Sequence, residues 1–210
     1  MIRLIIADDH SIVREGMKRL IDAQPDLSVI AEAADGHAVL ECLRTVDADV
    51  LILDLSMPGR NGIDLIKQIK DTWPTLPILI LTMHEEHQYA LRSIRAGAKG
   101  YLTKDAAGVQ LVEAIRRLHA GRMFISNEVA ELIAMQAVQP DWPASHTTLS
   151  NREFEVFNLL VAGRSVSEIG QLLHISVKTV STHKTHVIEK MRAQSVADLV
   201  RYAIEHQLSM

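Results

Sequence analysis

The stretch "LIIADDH", Leu4 to His10, sets four apolar or small residues directly before two aspartates. Its first part reads as a buried strand, so the chain leaves the interior on two adjacent like charges. Two carboxylates about 4 Å apart repel by about 4 kcal/mol at an effective dielectric near 20. A cation between them removes that cost.

Four more runs of the same kind follow: "LSVIAEA" (27–33), "DVLILD" (49–54), "PILILT" (77–82) and "GYLT" (100–103). Each gives way to a polar loop and a helix-like stretch. Strands this apolar on both faces, spaced by helices, predict an α/β doubly wound fold with a five-stranded parallel sheet. Ligands of such sheets sit outside the carboxyl ends of the strands, where strand order reverses. The first run ends in Asp8 and Asp9, the third in Asp54, the fourth in Thr82, and the fifth leads to Lys104. Three acids, a hydroxyl and an amine thus share one sheet edge. Hard oxygen ligands suit Mg²⁺, which binds one or two carboxylates and substrate phosphate. Asp54 remains an oxygen nucleophile, and carboxylates form aspartyl phosphates. Lys104 and Thr82 are placed to neutralise and hydrogen-bond the phosphoryl oxygens.

The 210 residues and 23.4 kDa allow about two domains, and a 48 % hydrophobic content is enough for compact cores. No apolar run reaches the ~18 residues of a membrane span, and the N-terminus lacks a secretory signal. The expected location is the cytoplasm, with no membrane partner. Cys42, the only cysteine, is expected to be a buried structural thiol. The net charge of −4 is unevenly spread: residues 149–210 hold 7 Lys+Arg against 6 Asp+Glu, and four of the ten histidines.

Past Gly121, "SNEVAELIAMQAV" (126–138) predicts one more helix capped by Ser126. "QPDWPASHTT" (139–148) reads as an exposed connector. The expected division is therefore a domain over 1–121, a linker with one helix over 122–148, and a second domain over 149–210. That last part predicts four helices, near 152–162, 166–173, 177–191 and 196–206, the first opened by the capping box "SNRE" and stopped at Gly163. "IGQLLHISVKTVSTHKTHVIEKM" (169–191) has helix-turn-helix spacing, with the turn around His174 to Ser176 and Ser176 as the second helix's N-cap. Helical projection gathers Val177, Val180, Val187, Ile188 and Met191 into an apolar stripe. Lys178, Ser181, Thr182, Thr185 and Glu189 lie opposite. Such a face can enter the major groove of duplex DNA.

The motifs "IIADDH", "LILDLSMPGRNG", "ILTMHEE" and "AGAKGYLTKD" resemble those of a response-regulator receiver domain, in their usual order. The segment 149–206 is similar to the LuxR-type four-helix module of the NarL/FixJ family. The resemblance implies a two-component response regulator whose phosphorylation by a partner histidine kinase controls dimerisation and DNA binding. It implies no enzyme beyond Mg²⁺-dependent phosphorylation and dephosphorylation of the receiver itself. By position, Asp54 matches the phosphoacceptor. Asp8, Asp9, Asp54 and the Ser56 carbonyl match the metal ligands, Thr82 and Tyr101 the switch residues, and Lys104 the phosphate-sensing lysine. Ser181, Thr182 and Thr185 fall where the family reads bases; Lys178, Thr179, His183 and Lys190 fall where it contacts the DNA backbone. This chain departs from the pattern at Asp105, often proline, at Met83, often Ala or Gly, and at Arg192, often Gly or Asn. A phosphatase of the haloacid-dehalogenase type is the enzymatic alternative; it needs a second acid at position 56, where Ser56 stands.

Overall fold

The computed structural model describes residues 1–57, 62–83, 87–138, 145–206 and 208. The chain forms two compact units, Met1–Val138 and Gln139–Met210.

In the first unit the strands are β1 (Ile2–Ala7), β2 (Leu27–Ala33), β3 (Val50–Leu53), β4 (Ile78–Thr82) and β5 (Gly100–Thr103). All pair in parallel in the order β2-β1-β3-β4-β5. The expected doubly wound sheet is what the chain forms. Order reverses between β1 and β3, where Ala7 stands opposite Leu53. Helices α1 (Ser11–Asp22), α2 (Gly36–Thr45), α3 (Gly62–Thr72), α4 (His87–Arg95) and α5 (Lys104–His119) connect the strands and close the unit.

Side-chain alternation along each strand explains why both faces must be covered. Leu4, Ile6, Ile52, Leu79 and Leu81 face one way and pack with Met17 and Ile21 of α1 and Leu111, Ile115 and Leu118 of α5. Ile5, Leu51, Leu53, Ile78 and Ile80 are equally buried on the other face, as are Val39 of α2 and Ile66 and Ile69 of α3. Each such side chain contributes about 1.5–3 kcal/mol by leaving water. Cys42 departs from expectation: it is half-buried on α2, its thiol pKa pushed up by that burial and by Glu41.

Beyond α5 the chain does not wander. Gly121, at φ +75°, turns it back, and Phe124 then lies along the free edge of β5. The N–H of Tyr101 donates to the Phe124 carbonyl at 2.9 Å, and the N–H of Phe124 donates to the Lys99 carbonyl at 3.0 Å. Helix α6 (Asn127–Val138) follows, with Ser126 Oγ accepting from the N–H of Val129 as the sequence predicts. It packs against α4, within the first unit. The sequence reading had set this helix in the linker.

The second unit is helical: a short 3-10 turn at Ser145–Thr148, then α7 (Asn151–Val161), α8 (Val166–Leu172), α9 (Val177–Lys190) and α10 (Val196–Glu205). Phe154, Val156, Phe157, Ile169, Val180, Val187 and Leu199 are buried in its core. Val177 departs from the predicted stripe, being 51 % exposed at the first position of α9. The first helical turn lies too near the helix end to be covered by the partner helices.

Both turns that frame α9 close in the same way. After α8, His174 takes φ 52° while Ile175 N–H returns to the Gly170 carbonyl; after α9, Arg192 takes φ 53° while Ala193 N–H returns to Ile188. These are Schellman closures, in which the left-handed residue is usually glycine. A Cβ in that region costs about 1–2 kcal/mol. Arg192→Gly is therefore expected to stabilise the second unit by about 1 kcal/mol, read as a higher urea midpoint of its unfolding transition.

Candidate functional site

Parallel pairing of β1 and β3 brings the residues after them together. Asp54 N–H donates to the Ala7 carbonyl at 2.8 Å, and Asp8 and Asp54 emerge side by side with 1 % and 2 % exposure. Between them lies Lys104. Its Nζ is 2.6 Å from Asp8 Oδ2 and 2.8 Å from Asp54 Oδ2. The opening puzzle of like charges at a strand end is thus resolved by an ammonium that arrives from the start of α5. Burial lowers the lysine's pKa, but hydrogen bonds to Asp54 and Asp8 outweigh it and carry the pKa above its usual value. A lysine in the first turn of a helix opposes the helix dipole; the two carboxylates hold it there.

Asp54 is held on both oxygens, Oδ2 by Lys104 and Oδ1 by the Ser56 N–H at 3.1 Å. Asp8 Oδ1 accepts from the His10 N–H at 2.8 Å. Asp8 Oδ2 is buried and faces the Lys104 ammonium. Asp9 is exposed, and its Oδ1 lies 2.9 Å from His10 Nδ1. One ligand atom from each of Asp8, Asp9, His10 and Asp54 falls within 4.8 Å of all the others. The residues fit a hard divalent cation: three carboxylates offer oxygens within reach of one another, and the cluster faces solvent through Asp9. His10 is the member that sequence reasoning left without a role. Its signal was adjacency to Asp9.

Thr82 and Tyr101 occupy neighbouring strands. Thr82 is fully buried at the end of β4, opposite Thr103, the residue before Lys104. Tyr101 is 8 % exposed and already turned inward, lining a cavity of about 210 Å³ with Ala90, Phe124 and Val129. Met83, where the family often has Ala or Gly, is 65 % exposed. The Lys104–Asp105 peptide bond is trans. His84, at a position linked by the resemblance to dephosphorylation, lies outside the described residues.

Gly62, the first residue of α3, lies against the backbone of Leu55. A Cβ there would meet the Leu55 carbonyl oxygen at 2.6 Å and the Leu55 Cα at 2.7 Å. Both are backbone atoms that cannot swing aside. Gly62→Ala is expected to cost the first unit about 1–3 kcal/mol, the usual penalty for overpacking, measured by urea unfolding.

In the second unit, α9 presents Lys178, Thr179, Ser181, Thr182 and Thr185 to solvent. The Ser176 hydroxyl caps it, accepting from the Thr179 N–H at 3.0 Å. Two of the expected contact residues are placed differently. His183 is half-buried, with Nδ1 unpartnered among the described residues, and its pKa is lowered by burial and by Arg152. Lys190 is engaged: its Nζ donates to Glu153 Oε2 at 2.6 Å.

Glu153 is the residue that sequence reasoning saw only as a cap. It closes the α7 capping box, accepting from the Ser150 N–H at 2.7 Å, and it is 4 % exposed. It also binds Lys190 and lies 3.5 Å from His186 Nδ1. Burial raises its pKa, but Lys190 and Ser150 outweigh that and leave it below the usual carboxylate value. A depressed folded pKa means stability that is present above the unfolded pKa of about 4.3 and lost as pH falls through the folded value. Urea midpoints of the second unit are expected to drop as pH falls below about 4.3, and Glu153→Gln is expected to flatten that slope.

Comparison with known proteins covers both units. The profile of the response regulator receiver domain matches residues 4–116, and that of the bacterial regulatory proteins, luxR family, matches 147–203. The oxygen regulatory protein NreC of Staphylococcus carnosus (strain TM300) is 36 % identical over 213 residues, covering 98 % of each chain. Among solved structures, RcsB of Salmonella enterica serovar Typhimurium, bound to the promoter rprA in the presence of phosphomimetic BeF3⁻, is 30 % identical. It covers 96 % of this chain and 97 % of its own, with a TM-score of 0.66. A LuxR-family two-component response regulator from Aurantimonas sp. SI85-9A1 is 40 % identical over 65 % of this chain and 98 % of its own, with a TM-score of 0.60.

Proposed function

Because the chain belongs to the two-component response regulators that join a receiver to a LuxR-type DNA-binding domain, we propose that phosphorylation of Asp54 switches its binding to promoter DNA. In this reading residues 1–121 are the receiver, 122–148 lead on from it with α6 packed against α4, and 149–210 bind DNA. The observation that carries it is the buried pair Asp8 and Asp54 closed by Lys104 at 2.6 and 2.8 Å. A structural ion pair needs one acid, and a phosphoryl site needs two acids and a cation.

The phosphodonor is a histidine kinase. An Asp54 carboxylate oxygen forms the bond to phosphorus as the bond to the donor nitrogen breaks. Asp8, Asp9, Asp54 and the Ser56 carbonyl would hold Mg²⁺, which neutralises phosphoryl oxygens when bound. Lys104 supplies a second positive charge and lets go of Asp54 toward the new phosphate. Thr82, at the end of the neighbouring strand, donates its hydroxyl to a phosphoryl oxygen. Tyr101 is the second switch residue. Its inward position matches the state that phosphate would favour, so phosphorylation shifts a population already containing that form. The receiver catalyses these steps on itself and turns over no other substrate.

RcsB, 30 % identical, is described bound to a promoter in the presence of a phosphomimetic, and this supports the same coupling here. Two copies of α9, one from each protomer of a dimer, would reach half-sites about one helical turn apart. A protein of this kind works in the cytoplasm, where kinase and DNA are both accessible; no helix among the described residues is long and apolar enough to cross a membrane. The test is labelling of the full chain with a small phosphodonor and Mg²⁺. Label is expected on the parent and absent from Asp54→Asn; equal labelling would refute the assignment.

A further inference from the structure

The free face of α9 can be sorted into donors and acceptors, and the sorting is one-sided. The Ser181 hydroxyl donates to the Val177 carbonyl at 3.0 Å, Thr182 to Lys178 at 3.1 Å and Thr185 to Ser181 at 3.1 Å. Each proton is thus spent inside the helix, and the lone pairs that remain face outward. Glu189, on the same face and exposed, only accepts. Val177–Lys190 contains no Arg, Asn or Gln, and of the side chains that read a purine with two hydrogen bonds it holds lysines alone. Lys190 is tied to Glu153. Lys178, in the first turn, is the cation left on this face.

We infer that Ser181, Thr182 and Thr185 of α9 read base edges as hydrogen-bond acceptors, selecting A·T pairs through the adenine N6 amine and the thymine methyl and disfavouring guanine opposite these hydroxyls. This rests on the proposal that α9 lies in the major groove. There guanine shows only acceptors, N7 and O6, whereas adenine adds the N6 amine to its N7 and thymine a methyl to its O4. A threonine whose hydroxyl proton is engaged meets both features of an A·T pair, its oxygen toward the adenine N6 amine and its γ-methyl toward the thymine methyl.

The full chain, treated with a small phosphodonor and Mg²⁺, is used to select duplexes from a random library, and the selected site is rebuilt with base analogues. Purine in place of adenine removes the amine; uracil in place of thymine removes the methyl. Each replacement under α9 is expected to weaken binding about two- to tenfold, the worth of one hydrogen bond or apolar contact. Thr182→Val or Thr185→Val should erase the response to purine and keep the response to uracil, while Thr→Ser at the same position should do the reverse. These side chains are exposed, so an unchanged urea midpoint confirms that the variants fold. Selected sites with guanine facing Thr182 or Thr185, or analogue responses that none of the four variants alters, would overturn the inference. Failure to retain any duplex, even at low salt, would instead overturn the DNA-binding reading on which it rests.

Discussion

A single ammonium sets the geometry of the first unit's working edge. The sheet cannot form in the order β2-β1-β3-β4-β5 without placing the residues after β1 and β3 side by side, and in this sequence both are aspartates. Their burial is tolerable because Lys104 lies between them. The core that drives strand pairing and the charge cluster at its edge are therefore one construction. Apolar packing supplies the free energy, and the lysine makes the polar outcome of that packing affordable. Taking away one partner of such a buried set leaves an uncompensated charge, which costs about 3–5 kcal/mol in comparable sites.

The second unit repeats the device for a different end. Glu153 is buried at the start of α7, and Lys190, 37 positions on, closes over it; in the first unit Lys104 reaches Asp54 across 50 positions. In one case the pair sits where chemistry is proposed. In the other it joins the first helix of the module to the last turn of the recognition helix, so the angle of α9 is set by a charge as well as by Val180 and Val187. Arg152 adds a further tie, donating to the Leu173 carbonyl at 2.7 Å just before the turn.

Much of this was legible in the chain before any coordinates. Strand ends announce themselves because apolar runs stop abruptly at charge, and a parallel sheet has one edge at which those stops meet; hence the proximity of Asp8, Asp9, Asp54 and Lys104 is legible in the chain, and Thr82 stands at the end of β4. Helix limits in the second unit were legible from Ser150, Gly163 and Ser176, whose backbone preferences are local. What stayed hidden depends on distance in the sequence. Nothing near Lys190 shows that its charge is engaged by a carboxylate 37 residues earlier, and nothing near His183 shows that its ring turns toward α7 and not outward. Val177 fails for a related reason: periodicity assigns it to the apolar stripe, but a helix's first turn has no neighbour to cover it. α6 was recognised as a helix but set in the linker, since the linker composition around it says nothing of α4, against which it packs.

The pairing of Phe124 with β5 carries one more implication. An open strand edge is a template on which another chain can add itself, and here the protein's own backbone occupies part of that template beside Tyr101. The tyrosine is thereby clamped from both sides, by β4 and by the segment around Phe124, so its main chain has nowhere to travel. A rotation of the ring about its own side-chain bonds leaves these main-chain pairings intact, whereas a shift of the backbone would have to break them.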